Sequence, residues 1–249
     1  MKKRFILLAA TCGSLFACTK SNILPSSTVA SLSFVNATVG SSPVVYKLNN
    51  LNINYSTVAS GNKINYGASS LFPLVAGNVP LAFSQSTDTL HTLFTGALNL
   101  QSSGIYSLYL IGTAAQPDTV FMQEHLTHHA ATDSVAGIRF INLSPGSNPV
   151  SVDIKGQANG SEVSSLSYKG RTGFKIYKAD HTIPSYIFEF RDGAFGTLLA
   201  TFTLSGVNNA SSVSLTTTNV VRFHNMTLAL IGQPAGGIVA QKVILINNY

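Results

Sequence analysis

The chain has 249 residues, a formal net charge of +6 and only 10% charged residues, against roughly 25% in an average soluble domain. Three of its 15 basic residues are Lys2, Lys3 and Arg4, so losing that segment would halve the net charge. No run of Lys or Arg follows it, which excludes the electrostatic footprint of a nucleic-acid-binding protein.

Met1 to Arg4 form a basic n-region, and Phe5 to Phe16 an apolar stretch of about a dozen residues. That is too short to cross a bilayer as a helix, which takes roughly 20 residues, but it suits a signal-peptide core. It ends in Leu15-Phe16-Ala17-Cys18, which resembles the lipobox of bacterial lipoproteins. The resemblance implies cleavage before Cys18 and lipidation of its thiol. Two or three acyl chains, at about 0.8 kcal/mol per buried methylene, anchor a protein durably where one would not. The other cysteine, Cys12, would leave with the signal peptide. No thiol would then remain for a disulfide, a metal or nucleophilic catalysis.

Thr19 to Thr28 is polar and turn-prone apart from Ile23-Leu24, and reads as a tether. From Val29 onward, short apolar-alternating runs are split by Gly, Asn, Ser and Pro, the pattern of a many-stranded antiparallel fold. Strands are expected at Leu32 to Asn36, Val44 to Leu48, Val79 to Gln85, Ile105 to Ile111, Val150 to Lys155, Tyr186 to Phe190, Leu198 to Leu204, Val213 to Thr217 and Lys242 to Ile246. In Val150-Ser151-Val152-Asp153-Ile154-Lys155 the apolar side chains share one face and Ser, Asp and Lys the other, which predicts a half-buried strand. Asp192-Gly193 predicts a tight hairpin with positive φ angles.

An internal repeat organises these strands. Leu32-Ser33-Phe34-Val35-Asn36 matches Ile138-Arg139-Phe140-Ile141-Asn142, and Pro43-Val44 matches Pro149-Val150 in the same register. Leu108-Tyr109-Leu110-Ile111-Gly112 matches Leu228-Ala229-Leu230-Ile231-Gly232. The expected organisation is a signal peptide over 1–17, a lipidated tether over 18–28, a first β-sandwich over 29–124, a linker over 125–136 and a second β-sandwich over 137–249. Phe34 and Phe140 fall at matching core positions.

These repeated segments, with Tyr66-Gly67 and Tyr168-Lys169-Gly170, resemble the domain-of-unknown-function 4397 family. The second copy carries the likeness best, through Arg139 to Gly146 and Ile231 to Gly237. The resemblance implies an all-β fold of two tandem Ig-like or transthyretin-like sandwiches on a lipoprotein of Bacteroidota, with adhesion as a function assigned to some members. It brings no catalytic residues and no cofactor. Gly146 stands where many members carry an acidic loop residue, so an ion-binding loop is not expected. Surface-exported lipoproteins of Bacteroidota tend to carry acidic residues after the cysteine. Thr19-Lys20-Ser21-Asn22 has none, which favours the periplasmic face of the outer membrane over the cell surface.

The cluster Glu124-His125-Leu126-Thr127-His128-His129 is where metal chemistry would have to lie. On a helix, His125 and His129 would converge as paired ligands do. The segment instead falls between the two copies and reads as solvated linker, with His125, His128 and His129 as candidate ligands at most. It lacks the His-Glu-x-x-His order. No Gly-x-Ser-x-Gly elbow, phosphate loop or dinucleotide fingerprint occurs, and Asp180 and His181 would point to opposite faces of a strand. The chain therefore reads as a non-catalytic interaction or adhesion-type module, partnered by a membrane through lipid and by a protein or glycan. The alternative is a glycan-binding accessory lipoprotein. With no Trp, a sugar platform would draw on Tyr55, Tyr66, Tyr168 and Tyr249, since Tyr46, Tyr106 and Tyr186 fall in strand patterns.

Overall fold

The computed structural model describes residues 28–48, 63–130, 132–209 and 219–248. The signal peptide, Cys18, Tyr55, Tyr249 and the expected strand at Val213 to Thr217 lie outside the described residues. The fold is all-β, its sheets packed as β-sandwich-like domains. One half contributes β1 (Val29–Asn36), β2 (Val44–Leu48), β3 (Ser69–Val75), β4 (Gly77–Gln85), β5 (Asp88–Leu100), β6 (Ile105–Gly112) and β7 (Pro117–Gln123). The other contributes β8 (Val135–Asn142), β9 (Val150–Ile154), β10 (Val163–Leu166), β11 (Lys175–Lys178), β12 (Ser185–Asp192), β13 (Leu198–Ser205), β14 (Asn225–Ile231) and β15 (Lys242–Asn247). β8 begins inside the expected linker because Val135 and Ala136 already pair with Lys178 and Tyr177 of β11.

The sheets run β3-β1-β6-β7 over β2-β4-β5 in the first half, and β11-β8-β14-β15 over β10-β9-β12-β13 in the second. In each, the repeat segments form a parallel central pair, Phe34 opposite Leu108 and Phe140 opposite Leu228. Both phenylalanines are buried: Phe34 stacks on Phe83, and Phe140 meets Phe188 and Phe190 edge-on. The repeated asparagine closes each sandwich. Asn36 donates through Nδ2 to the Ile64 carbonyl at 3.0 Å and accepts the Thr38 N–H; Asn142 does the same with Leu166 at 3.1 Å and Ser144. A buried amide that satisfies backbone groups on both sides of a chain crossing fixes that crossing.

β1, β6, β8 and β14 are buried on both faces almost throughout. One face fills each half's own core, and the other fills a third core shared between the halves. Val35, Ala37, Tyr109, Ile111 and Met122 come from the first half; Ile141, Leu143, Ala229, Ile231 and Ile246 from the second. Matching strands supply matching positions, so this seam has the self-complementary character of a two-fold interface within one chain. At roughly 1.5–3 kcal/mol per fully buried aliphatic side chain, it contributes on the scale of a domain core.

Two local expectations need correction. Ser151 and Asp153 are buried, so β9 is not a half-buried strand. Its outer face is covered by a charged cluster: Asp153 lies 3.4 Å from Arg191, which also pairs with Glu189. The β12–β13 turn is not an Asp-Gly hairpin. Asp192 Oδ1 accepts the N–H groups of Ala194 and Phe195, and the positive φ falls on Gly196. Gly193 is needed for space, because a Cβ there would lie 2.6 Å from the Pro149 carbonyl oxygen.

Candidate functional site: the seam and the loop end

The segment expected to be solvated linker is in part buried. Glu124 is buried and forms a bidentate ion pair with Arg139, both bonds 2.6 Å. Arg139 also donates through Nε to Thr227 Oγ1 at 2.8 Å and through Nη2 to the Tyr109 hydroxyl at 3.3 Å, and its guanidinium lies over the Phe174 ring. Burial opposes the guanidinium charge, but the Glu124 carboxylate outweighs it and holds the group above its ordinary value. Burial pushes the Tyr109 phenol up as well. The lock ties β6 and the chain after β7 to β8 and β14. The signal in the sequence was Arg139 itself, a charge inside the apolar run Ile138 to Ile141, which a buried strand holds only with a partner.

His129 is buried beside Gly137, its Nε2 3.2 Å from Asn225 Oδ1. Asn225 Nδ2 also donates to the Thr127 carbonyl, so this stretch is stapled to the second half. His125 and His128 are exposed. Residues 124–130 form no helix, so the three histidines do not converge, and among the described residues no group of His, Cys, Asp and Glu is placed to hold a metal ion. His91 forms an ion pair with Asp88 at 2.7 Å on an exposed hairpin. Its hydrogen bonds hold the Asp88 carboxyl below the usual range.

At one end of the molecule the seam opens into a cleft of about 310 Å³, lined by Thr113, Gln116, Asp118, Pro145 and Tyr168 among others. The turn from β6 to β7 is tight. Gly112 takes φ 76°, and a Cβ on it would lie 2.4 Å from the Gln116 carbonyl oxygen. Asp118 pairs with Lys169 across the seam. Partial burial raises its carboxyl, but hydrogen bonds from Lys169 and the Thr119 N–H prevail and hold it low. Burial, then the charge of Asp118, raises the Tyr168 phenol, and the Gly112 backbone beside it opposes the shift.

The matching place on the other side of the seam has Tyr66 for Tyr168 and Lys242 for Asp118. It is closed. Lys242 lies over the Tyr66 ring at 5.0 Å, and the longer β14–β15 loop brings Ile238 to 3.7 Å from where a Cβ on Gly40 would stand. The Tyr66 hydroxyl is buried without a hydrogen-bond partner among the described residues, and burial pushes its phenol up to about 12.

The cleft belongs to a wider loop end. Val44 pairs with Gln85, placing the β4–β5 hairpin beside the β1–β2 loop. Asn148 donates to Asp192 and Gln241 to Ser144, which gathers the β12–β13 and β14–β15 loops around the β8–β9 loop. Leu90, at the start of β5, and Phe195 and Ile238, on these loops, are 91%, 79% and 76% exposed, more than any other large apolar side chain described. Leu90 is pushed out by a bulge: Gln85 pairs with Asp88 and Ser84 with Thr92, leaving the residues between unpaired. β1 runs from Val29 at the opposite end towards this one.

No described helix is long and apolar enough to cross a membrane. No family model matches the chain, and no curated protein matches it.

Proposed function

We propose that this is a lipid-anchored envelope protein whose loop end is a non-catalytic interaction surface. The observation that carries the reading is the presence of exposed Leu90, Phe195 and Ile238 at the end opposite Val29. Exposed apolar surface gathered at one end of a molecule marks an interaction site where single exposed side chains do not, and loops held by a rigid scaffold are where binding residues concentrate. With Cys18 lipidated, the tether enters at the far end, so the tips point away from the bilayer. The family resemblance, the lipobox and the non-acidic tether support an address on the outer membrane of a Bacteroidota cell, on its periplasmic face. Protease shaving of intact cells tests that address: the chain should survive with periplasmic markers, and selective loss of the chain would move it to the surface.

The interaction itself is tested by placing a photo-crosslinking amino acid at position 195 or, as a control, at position 71, where Leu71 is exposed on β3. In the producing cell, position 195 should give a discrete higher-mass adduct and position 71 none. Equal labelling from both sites, or none from either, contradicts the reading.

A further inference from the structure

Duplication gave the seam two matching clefts, and one of them is filled. On the Tyr66 side the β14–β15 loop and Lys242 occupy the space; on the Tyr168 side the short β6–β7 turn leaves about 310 Å³ open. That is at the lower bound of ordinary small-ligand sites, roughly 300–1,000 Å³. Its walls combine two chemistries. Tyr168 and Pro145 contribute carbon surface to the lining, with Lys169 Nζ 5.7 Å from the Tyr168 ring centre, while Gln116, Thr113 and Asp118 contribute donors and acceptors. Lys169, the cation paired with Asp118 across the seam, neutralises the site, so a charged ligand gains little there.

We propose that this cleft binds one neutral, polyhydroxylated ring, such as the terminal pyranose unit of a glycan. The apolar C–H face of such a ring lies on Tyr168 and Pro145, as saccharides lie on aromatic side chains. Its vicinal hydroxyls donate to the Asp118 carboxylate and exchange hydrogen bonds with the Gln116 amide, which are the stronger, orienting contacts. The assignment rests on the reading of the protein as an interaction module and names one ligand class for it.

Saturation-transfer NMR of the detergent-solubilised full-length lipoprotein, with the methyl glycosides of glucose, galactose, mannose and N-acetylglucosamine as probes at millimolar concentration, tests it. At least one probe should receive saturation, strongest on the ring protons that face Tyr168. Gln116→Ala and Asp118→Asn should each weaken that probe about tenfold, the loss expected for one hydrogen bond to a charged or well-placed group, with the thermal midpoint preserved. No transfer to any of the four, or transfer that both variants leave intact, overturns the assignment. A persisting adduct from position 195 would then show that the interaction reading stands without it; sugar binding with no adduct would show the reverse.

Discussion

Asn36 and Asn142 make the same pair of hydrogen bonds in their two halves, whereas Ser33 and Arg139, three residues before them, share nothing but position. The first lies buried on β1, and the second anchors a four-partner polar lock to Glu124, Thr227, Tyr109 and the Phe174 ring. The same contrast recurs at other places where the halves meet, although Ile111 and Ile231 match: Tyr109 against Ala229, Asp118 against Lys242, a short turn against a long loop. Positions that build each sandwich repeat because each half solves the same packing problem. Seam positions diverge because two surfaces related by a two-fold axis need to differ to place one charge opposite another.

The largest expected effect probes that divergence. Glu124→Ala removes one partner of a buried bidentate pair and strands the Arg139 charge, which typically costs about 3–5 kcal/mol. Replacing both partners by apolar residues of similar volume should recover most of it. Chemical denaturation of the single and double variants measures the difference, and an additive double variant would deny the pair its role. Phe140→Ala should cost a similar ~3–5 kcal/mol through the cavity it leaves. Because Ile141 and its neighbours share a core with Val35 and Ile111, both halves should unfold together in one calorimetric transition. Two separated transitions would show that each half folds without the seam.

Next in size are the matched asparagines. Asn36→Ala and Asn142→Ala each strand a buried backbone N–H, that of Thr38 or Ser144, and remove one hydrogen bond to a carbonyl, that of Ile64 or Leu166, for about 1–3 kcal/mol. The account requires the two losses to agree; a large disparity would break the claim that the repeat is structural.

The strands of the repeat could be read directly, because apolar alternation and the paired Phe-x-Asn segments register the core face. Leu108 to Ile111 and Leu228 to Ile231 also showed a run with almost no polar interruption, the mark of burial on both faces. Nothing local said what would cover the second face. β5 has no readable signature because eight of its thirteen residues, from Asp88 to Leu100, are small, polar or glycine, and its burial pattern has no clean period. The Asp192 turn departs from the Asp-Gly expectation because the Asp192 carboxylate accepts the N–H groups of Ala194 and Phe195 and the Gly193 N–H is taken by the Pro149 carbonyl, which moves the positive φ to Gly196. The cleft was beyond reach for a similar reason. Tyr168 stood out as a loose tyrosine, but Asp118 and Gln116 join it only through the seam.

The smallest effects separate the two tyrosines. Tyr66→Phe deletes a hydroxyl that has no partner among the described residues and should be neutral or stabilising by up to about 1 kcal/mol. Tyr168→Phe removes a hydroxyl beside the Gly112 backbone and should cost at most about that much. The pH dependence has a definite sign. The Tyr66 phenol titrates near 10.0 in the unfolded chain and near 12 when folded, so the stability it lends as a neutral group is complete below pH 10.0 and is lost as pH rises through about 12. Tyr66→Phe should therefore flatten the alkaline limb of the stability profile. An unchanged limb would mean the ring is not buried as described.

The proposed functional geometry, with one end tethered and the opposite end presented, depends on lipidation of Cys18. Membrane fractionation of cells producing Cys18→Ala tests it most directly. The account predicts that the wild-type chain sediments with the membrane, while the variant is released or keeps its signal peptide; normal cleavage with unchanged sedimentation would contradict it.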